Sequence, residues 1–158
     1  MALVLDQRNR ELQQELLRQA LPEKGWIFNP HPEQGMFSSI QCAAHWEKWG
    51  EALSWFVVML GDQPLVQTST LNRLLEFAAE NPECICQPSR QGRARHPVVL
   101  PRKYFMQLRE TKCVNLKEFL ATWEGVRAFC EMDDIGLDID LDTPQDYERA
   151  LQLLDAQS

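Results

Sequence analysis

Apolar positions along this chain switch between short unbroken runs and helical spacing, so the elements can be read off in order. Met1 to Leu5 is a short apolar run that predicts a strand. From Asp6 to Leu21, the residues Leu12, Leu16, Leu17, Ala20 and Leu21 fall on one face at helical spacing, and Pro22 and Gly25 stop that helix. Trp26-Ile27-Phe28 reads as a buried strand ending at Asn29-Pro30. Past the polar loop His31 to Gly35, Ser38 or Ser39 is placed to cap a helix running to Trp49. Ser54 to Leu60 (SWFVVML) is the most strand-like segment, and its apolar residues on both faces mark the centre of a parallel sheet. It ends at Gly61-Asp62-Gln63-Pro64.

Thr68 precedes a helix whose Leu71, Leu74, Leu75 and Ala78 share one face. Cys84 to Gln87 and Pro97 to Leu100 are short strands flanking a basic loop. Asn115, with Glu118 three residues on, forms a capping-box start for a helix to Trp123, and Val126 to Met132 is a further strand. Thr143-Pro144-Gln145-Asp146 is the clearest helix start, with a cap hydroxyl, Pro in the first turn and a carboxylate behind it. Tyr147, Leu151 and Leu154 are expected to be its buried face. Strands alternating with helices predict an α/β fold with a mainly parallel sheet.

The chain has 158 residues, 44% hydrophobic and 25% charged, which predicts a single domain over residues 1–158 with a proper core. No apolar run approaches the ~20 residues that span a bilayer. The first residues, MALVLDQRNR, lack a signal-peptide pattern, so the expected setting is the cytoplasm, with no membrane partner. Five scattered cysteines read as reduced thiols. A formal net charge of −7 argues against a nucleic-acid partner held by bulk charge. The distribution says more than the total. Arg90 to Lys112 holds seven basic residues against Glu110 alone, whereas Cys130 to the end holds nine acids against Arg149 alone. Either the two segments pair with each other, or an anion-binding loop faces a metal-binding carboxylate cluster.

Three segments carry candidate chemistry. Asp62 follows the predicted central strand, where ligands of open α/β sheets bind, although Gly-Asp and Pro also make ordinary turns. Asp138, Asp140 and Asp142 alternate, so an extended segment puts them on one side. They read either as a magnesium site completed by substrate phosphate or as an acidic loop before the Thr143 cap. Gln91-Gly92-Arg93-Ala94-Arg95-His96-Pro97 is a basic loop whose Arg93 and Arg95 suit an anionic substrate, or else a solvated hairpin tip. His96 is a substrate contact or a structural histidine. Cys84-x-Cys86 has no matching pair at zinc spacing. Among the five tryptophans, Trp46 and Trp49 can lie on an exposed helix face, and the rest read as core.

Taken in order, Asn29-Pro30, Gln34 to Ile40 (QGMFSSI), Leu60 to Leu65 (LGDQPL), Gly92 to Val98 ending in His96-Pro97, and Asp140 to Asp146 (DLDTPQD) resemble the MobA-like nucleotidyltransferases. The branch resembled most is molybdenum-cofactor cytidylyltransferase. The resemblance spans nearly the whole chain and implies a Rossmann-like fold. It also implies transfer of a nucleotidyl group from a nucleoside triphosphate, CTP by preference, to a phosphorylated acceptor such as molybdopterin, on Mg²⁺. On this match Asp62 and Asp140 are the catalytic metal carboxylates. Gln63 and Pro64 beside Asp62, the turn carrying Gly35, Ser38 and Ser39, and the loop with Gly92, Arg93, Arg95, His96 and Pro97 are the substrate contacts.

One departure is large. Such proteins begin with a strand and a Gly-rich loop of the form LAAGxSxRMGxxK, which cradles the triphosphate with backbone N–H groups. Met1 to Leu5 instead resembles the family's second strand. The chain therefore reads as a domain truncated by one strand-helix unit. The expected consequences are a homodimer through exposed sheet, and either a transferase or an inactive homologue acting as a binding or interaction protein.

Overall fold

The computed structural model describes residues 1–157. In chain order the elements are β1 (Leu3–Asp6), α1 (Arg10–Arg18), β2 (Trp26–Asn29), α2 (Met36–His45), β3 (Trp55–Val58), α3 (Thr68–Glu80) and β4 (Ile85–Arg90). They continue as β5 (Arg93–Ala94), β6 (Val98–Pro101), α4 (Arg102–Gln107), α5 (Leu116–Ala121), β7 (Arg127–Glu131) and α6 (Pro144–Gln157). They form two compact units, one of residues 1–53 and 103–122, the other of residues 54–102 and 123 onward. No helix among the described residues is long and apolar enough to cross a membrane.

In the first unit β1 and β2 pair in parallel, from Leu3 opposite Trp26 to Asp6 opposite Asn29, with α1 as the crossover. The helix begins at Arg10 rather than Asp6, because local hydrogen bonds hold the chain open before it. The Asp6 carboxylate accepts from the Arg8 backbone N–H at 2.8 Å, and Asn9 Oδ1 caps the helix by accepting from Leu12 N–H at 3.0 Å. Its expected apolar face stays largely uncovered, with Leu12 and Leu17 exposed. The buried side chain is Gln13, whose Nε2 donates to the Gln7 carbonyl.

Helix α2 starts at Gly35, whose φ of +85° gives the chain its entry, and not at a serine cap. Ser38 Oγ donates to the Gly35 carbonyl at 2.8 Å. The helix stops at His45, short of Trp49. Trp49 Nε1 folds back to donate to the Ala43 carbonyl at 2.7 Å and stacks edge-on against Trp46, so neither ring lies on a helix face. Helix α5 has its expected start: Asn115 Oδ1 accepts from Glu118 N–H, and Glu118 reaches back to Val114 N–H. Leu116, Phe119 and Leu120 are its buried residues. Helix α4 is only six residues long, too short for a periodic apolar signal, and buries Tyr104 and Phe105.

The second unit is built on a sheet ordered β3-β6-β4, with β7 parallel to β4 and the short β5 hairpinned onto its end. β4 is buried along most of its length, as a central strand should be. Helix α3 covers one face, where Leu74 and Ala78 pack with Cys86, Val99, Cys130, Met132 and Leu137. The Ser54–Leu60 run is not the sheet centre. β3 pairs only with β6 among the described residues, antiparallel, and Trp55, Val57 and Met59 remain 38%, 42% and 49% exposed. The start of α6 is as expected, with Asp146 and Thr143 bonding each other's backbone N–H. Among the described side chains its buried one, however, is Ala150, and Tyr147, Leu151 and Leu154 are exposed. A small side chain lets a helix approach closely, and the apolar pattern alone did not reveal that. All five cysteines are free thiols, and burial pushes Cys86 to about 11.

A buried carboxylate organises this unit. Asp134 is 3% exposed and accepts three hydrogen bonds: from Gln67 N–H at 2.9 Å, Thr70 Oγ at 2.6 Å and Gly136 N–H at 2.8 Å. Gly136 lies so close to the Leu65 carbonyl that an added Cβ would stand 2.1 Å from its oxygen. Gly136→Ala is therefore expected to lower unfolding stability by about 3 kcal/mol in denaturant melts, and Asp134→Asn by about 2 kcal/mol, through donor facing donor. Wild-type stability in either variant would contradict this packing.

Candidate functional site

The chain leaves β3 through the Gly61–Pro64 turn, and this turn meets the segment before α6. The Asp62 carbonyl accepts from Leu141 N–H at 2.9 Å. The Gln63 side chain is buried, and its Nε2 donates to Asp140 Oδ1 at 2.7 Å. Two loops 77 residues apart thus bring Asp62 and Asp140 together. Both residues are exposed, so their carboxylates remain accessible to a ligand.

His96 joins the same cluster. Burial pushes its imidazole below the ordinary pKa, while the Val58 backbone and the negative charges of Asp140 and Asp62 act in the opposite direction. Its Nδ1 is buried without a hydrogen-bond partner. The His96–Pro97 peptide is cis, and Pro97 is fully buried where β6 begins.

The basic loop is a tight hairpin joining β4 and β5. Gln91 and Gly92 both have positive φ, +52° and +71°, the geometry that matches strand twist in a two-residue hairpin. Glu131 grips its tip, accepting from Ser89 Oγ and, at 2.7 Å, from Gln91 N–H. The Ser89 hydrogen bond is the main reason its carboxyl lies below the ordinary range, with Gln91 and Gly92 N–H adding to it. Arg90 and Arg95 both bind the Asp138 carboxylate, and Arg90 also reaches Asp133. The basic and acidic segments therefore pair here. Arg93 remains exposed near the hairpin tip.

This pairing revises the expected row of three aspartates. Residues Ile135–Asp138 form a 3-10 turn, which breaks the extended alternation. Asp138 turns to the arginines, Asp140 to Gln63, and Asp142 precedes the Thr143 cap. Glu131 and Asp134 were not singled out from the sequence. The signal for Glu131 is its register opposite Ser89 in the β4–β7 pair, which only the sheet reveals.

Gly35, Ser38 and Ser39 lie in the first unit, around a buried Asn29. Asn29 Nδ2 donates to Ser38 Oγ at 2.8 Å and to Ser39 Oγ at 3.0 Å, and its Oδ1 accepts from His31 N–H at 2.8 Å. These hydroxyls thus set the turn after β2.

Among the described residues no three His, Cys, Asp or Glu side chains gather as a metal cage. Asp62 and Asp140, on the two loops that the Gln63 side chain joins, are the candidate donor set. That set fits a magnesium-like ion, which takes one or two carboxylates and completes its shell with water and phosphate oxygens.

With this geometry described, the comparisons with known proteins define the class. Residues 3–127 match the MobA-like NTP transferase domain, and the chain belongs to that family. The fold is shared with Rv0371c of Mycobacterium tuberculosis at 23% identity and a TM-score of 0.67, over 96% of this chain and 74% of that one. The same protein solved with manganese aligns at 24% identity and a TM-score of 0.65, over 96% and 77% of the two chains. Molybdopterin-guanine dinucleotide biosynthesis protein A of Archaeoglobus fulgidus aligns at 18% identity and a TM-score of 0.60, over 97% and 77%. Comparison with curated proteins gives no match. The chain is thus a Rossmann-like α/β protein of the nucleotidyltransferase class.

Glu131 makes the hairpin pH-sensitive in a defined direction. Its folded pKa is lowered, so its stabilisation is complete above the ordinary value of 4.5 and is lost as pH falls through the lower folded value. The Gln91 amide resonance should titrate below pH 4.5 in the native chain and lose that titration in Glu131→Gln. At neutral pH the variant's Gln91 amide should exchange about tenfold faster, the loss of one charge-assisted hydrogen bond. A Gln91 amide insensitive to both changes would show that Glu131 does not hold the turn.

Proposed function

We propose that this chain is a cytoplasmic nucleotidyltransferase. Acting as one domain over residues 1–158, it would move a nucleotidyl group from CTP to a phosphorylated small-molecule acceptor such as molybdopterin, releasing pyrophosphate. The observation that carries this reading is the Gln63–Asp140 hydrogen bond, which sets the Asp62 turn beside the second aspartate. Family membership supports the reaction class. The acceptor is taken over from the Archaeoglobus protein, and the use of a divalent ion from the Mycobacterium structure holding manganese.

In this reading Asp62 and Asp140 hold Mg²⁺. When bound, the ion neutralises charge on the phosphoryl group under attack. Gln63 holds the Asp140 side chain in one orientation. His96, within the field of both carboxylates, is a proposed substrate contact. Gly92 leaves the hairpin tip open, and Arg93 presents a cation there. Pro64 and Pro97 complete the proposed substrate contacts of this unit, and in the first unit Gly35, Ser38 and Ser39 are proposed as contacts on their own turn.

Calorimetric titration with CTP and with GTP, each with and without Mg²⁺, tests the reading. Magnesium-dependent binding of CTP is expected, stronger than that of GTP, and weakened at least about tenfold in Asp62→Ala by loss of one metal ligand. If neither nucleotide binds at millimolar concentration, the transferase reading fails and the chain is a binding or interaction protein.

The exposed outer residues of β3 support a homodimer. Trp55 and Val57 sit on an edge strand with one partner and the exposed Met59 follows its end, which suits pairing with a second copy. Sedimentation at micromolar concentration should show a dimer that Val57→Lys converts to monomer. A well-behaved wild-type monomer would remove the dimer from this picture.

A further inference from the structure

The hairpin of β4 and β5 concentrates more cationic donors at one point than its local carboxylate uses. Arg90 closes β4 and Arg95 follows β5, so the hairpin sets their guanidinium groups around one side chain. Nη1 of Arg90 donates to Asp138 Oδ2, and Nε of Arg95 donates to Asp138 Oδ1. The three side chains are largely covered, at 18%, 25% and 27% exposure. Asp133, the other carboxylate on Arg90, is 97% exposed and so weakly held. Arg90 Nε is buried with no hydrogen-bond partner.

Two guanidinium groups converging on one side chain make a donor set that grips a phosphate, and Asp138, the carboxylate that binds both, brings one charge and two oxygens. We propose that Arg90 and Arg95 form a binding site for a phosphate monoester dianion, and that Asp138 is its built-in competitor, occupying the site until the ligand displaces it. The dianion matches both guanidinium charges and supplies three oxygens. Asp138 lies two residues before Asp140, so the site shares its chain segment with one of the candidate metal carboxylates. Naming that monoester as the acceptor's phosphate rests on the transferase reading, but the anion site itself does not.

The test uses the full native chain, with phenyl phosphate as the monoester probe and pyrophosphate as the comparison. Side-chain Nε–Hε resonances of arginine are followed by NMR. Phenyl phosphate should shift Arg90 and Arg95 while leaving Arg102 unmoved. In Asp138→Asn its affinity should rise about tenfold or more, the scale of removing one charge-assisted competitor. Adding Arg95→Gln to that variant should abolish the gain. No shift of Arg90 and Arg95 at tens of millimolar probe would overturn the site, and this native-chain result decides the matter even if Asp138→Asn folds poorly. A response to pyrophosphate alone would also overturn it, and so would a gain that survives Arg95→Gln. Magnesium-dependent CTP binding without a monoester response leaves the transferase reading standing and removes this site. A monoester response without CTP binding does the reverse.

Discussion

A buried carboxylate must have every oxygen satisfied, because an unpaired charge removed from water costs several kcal/mol. Asp134 meets that demand with donors from the start of α3, where Thr70 lies 64 residues before it, and from the Gly136 turn. This one requirement locks the loop after β3 onto the segment after β7. Gly136 permits it, since any side chain there would collide with the Leu65 carbonyl. With those stretches locked, the Asp62 carbonyl reaches Leu141 N–H and the Gln63 amide reaches Asp140. The geometry of the candidate site is therefore downstream of a residue that takes no part in it.

The acidic stretch from Glu131 to Asp140 shows how topology divides labour among like residues. Glu131 holds the hairpin tip through Ser89 and Gln91, and Asp134 holds the α3 loop. Asp138 meets two arginines, and Asp140 meets Gln63. Because these four carboxylates are paired separately, and the exposed Asp133 also reaches Arg90, the stretch repels itself less than an unpaired run would. The basic hairpin opposite it is likewise fixed in one shape. Arg90, Arg95 and the hairpin tip are thus joined to the acidic stretch, while Asp62, Asp140 and Arg93 are exposed.

The family match and the shared fold fit this arrangement without determining its chemistry. At 24% identity or less the solved relatives speak for the path of the backbone. The order of β3, β6, β4 and β7 sets the turn after β3 and the segment after β7 within reach of each other, so site and fold have a common origin in that topology.

Local signals were strong where the physics is local. The helix starts at Asn115 and Thr143 and the alternation of strands and helices could be read from the sequence, because each depends on neighbours a few residues away. What covers an element depends instead on which distant segment reaches it. Spacing alone therefore misplaced the Ser54–Leu60 run at the sheet centre, buried Leu151 instead of Ala150, and lined up Asp138 with Asp140. Glu131 and Asp134 carry no local mark. Their roles come from the register of β7 on β4 and from a loop 64 residues away. The sequence by itself determined the α/β class, the family and the candidate carboxylates. Only the tertiary structure decided which acid meets which partner, because hydrogen bonds and ion pairs act over a few ångströms in space, whatever their separation along the chain.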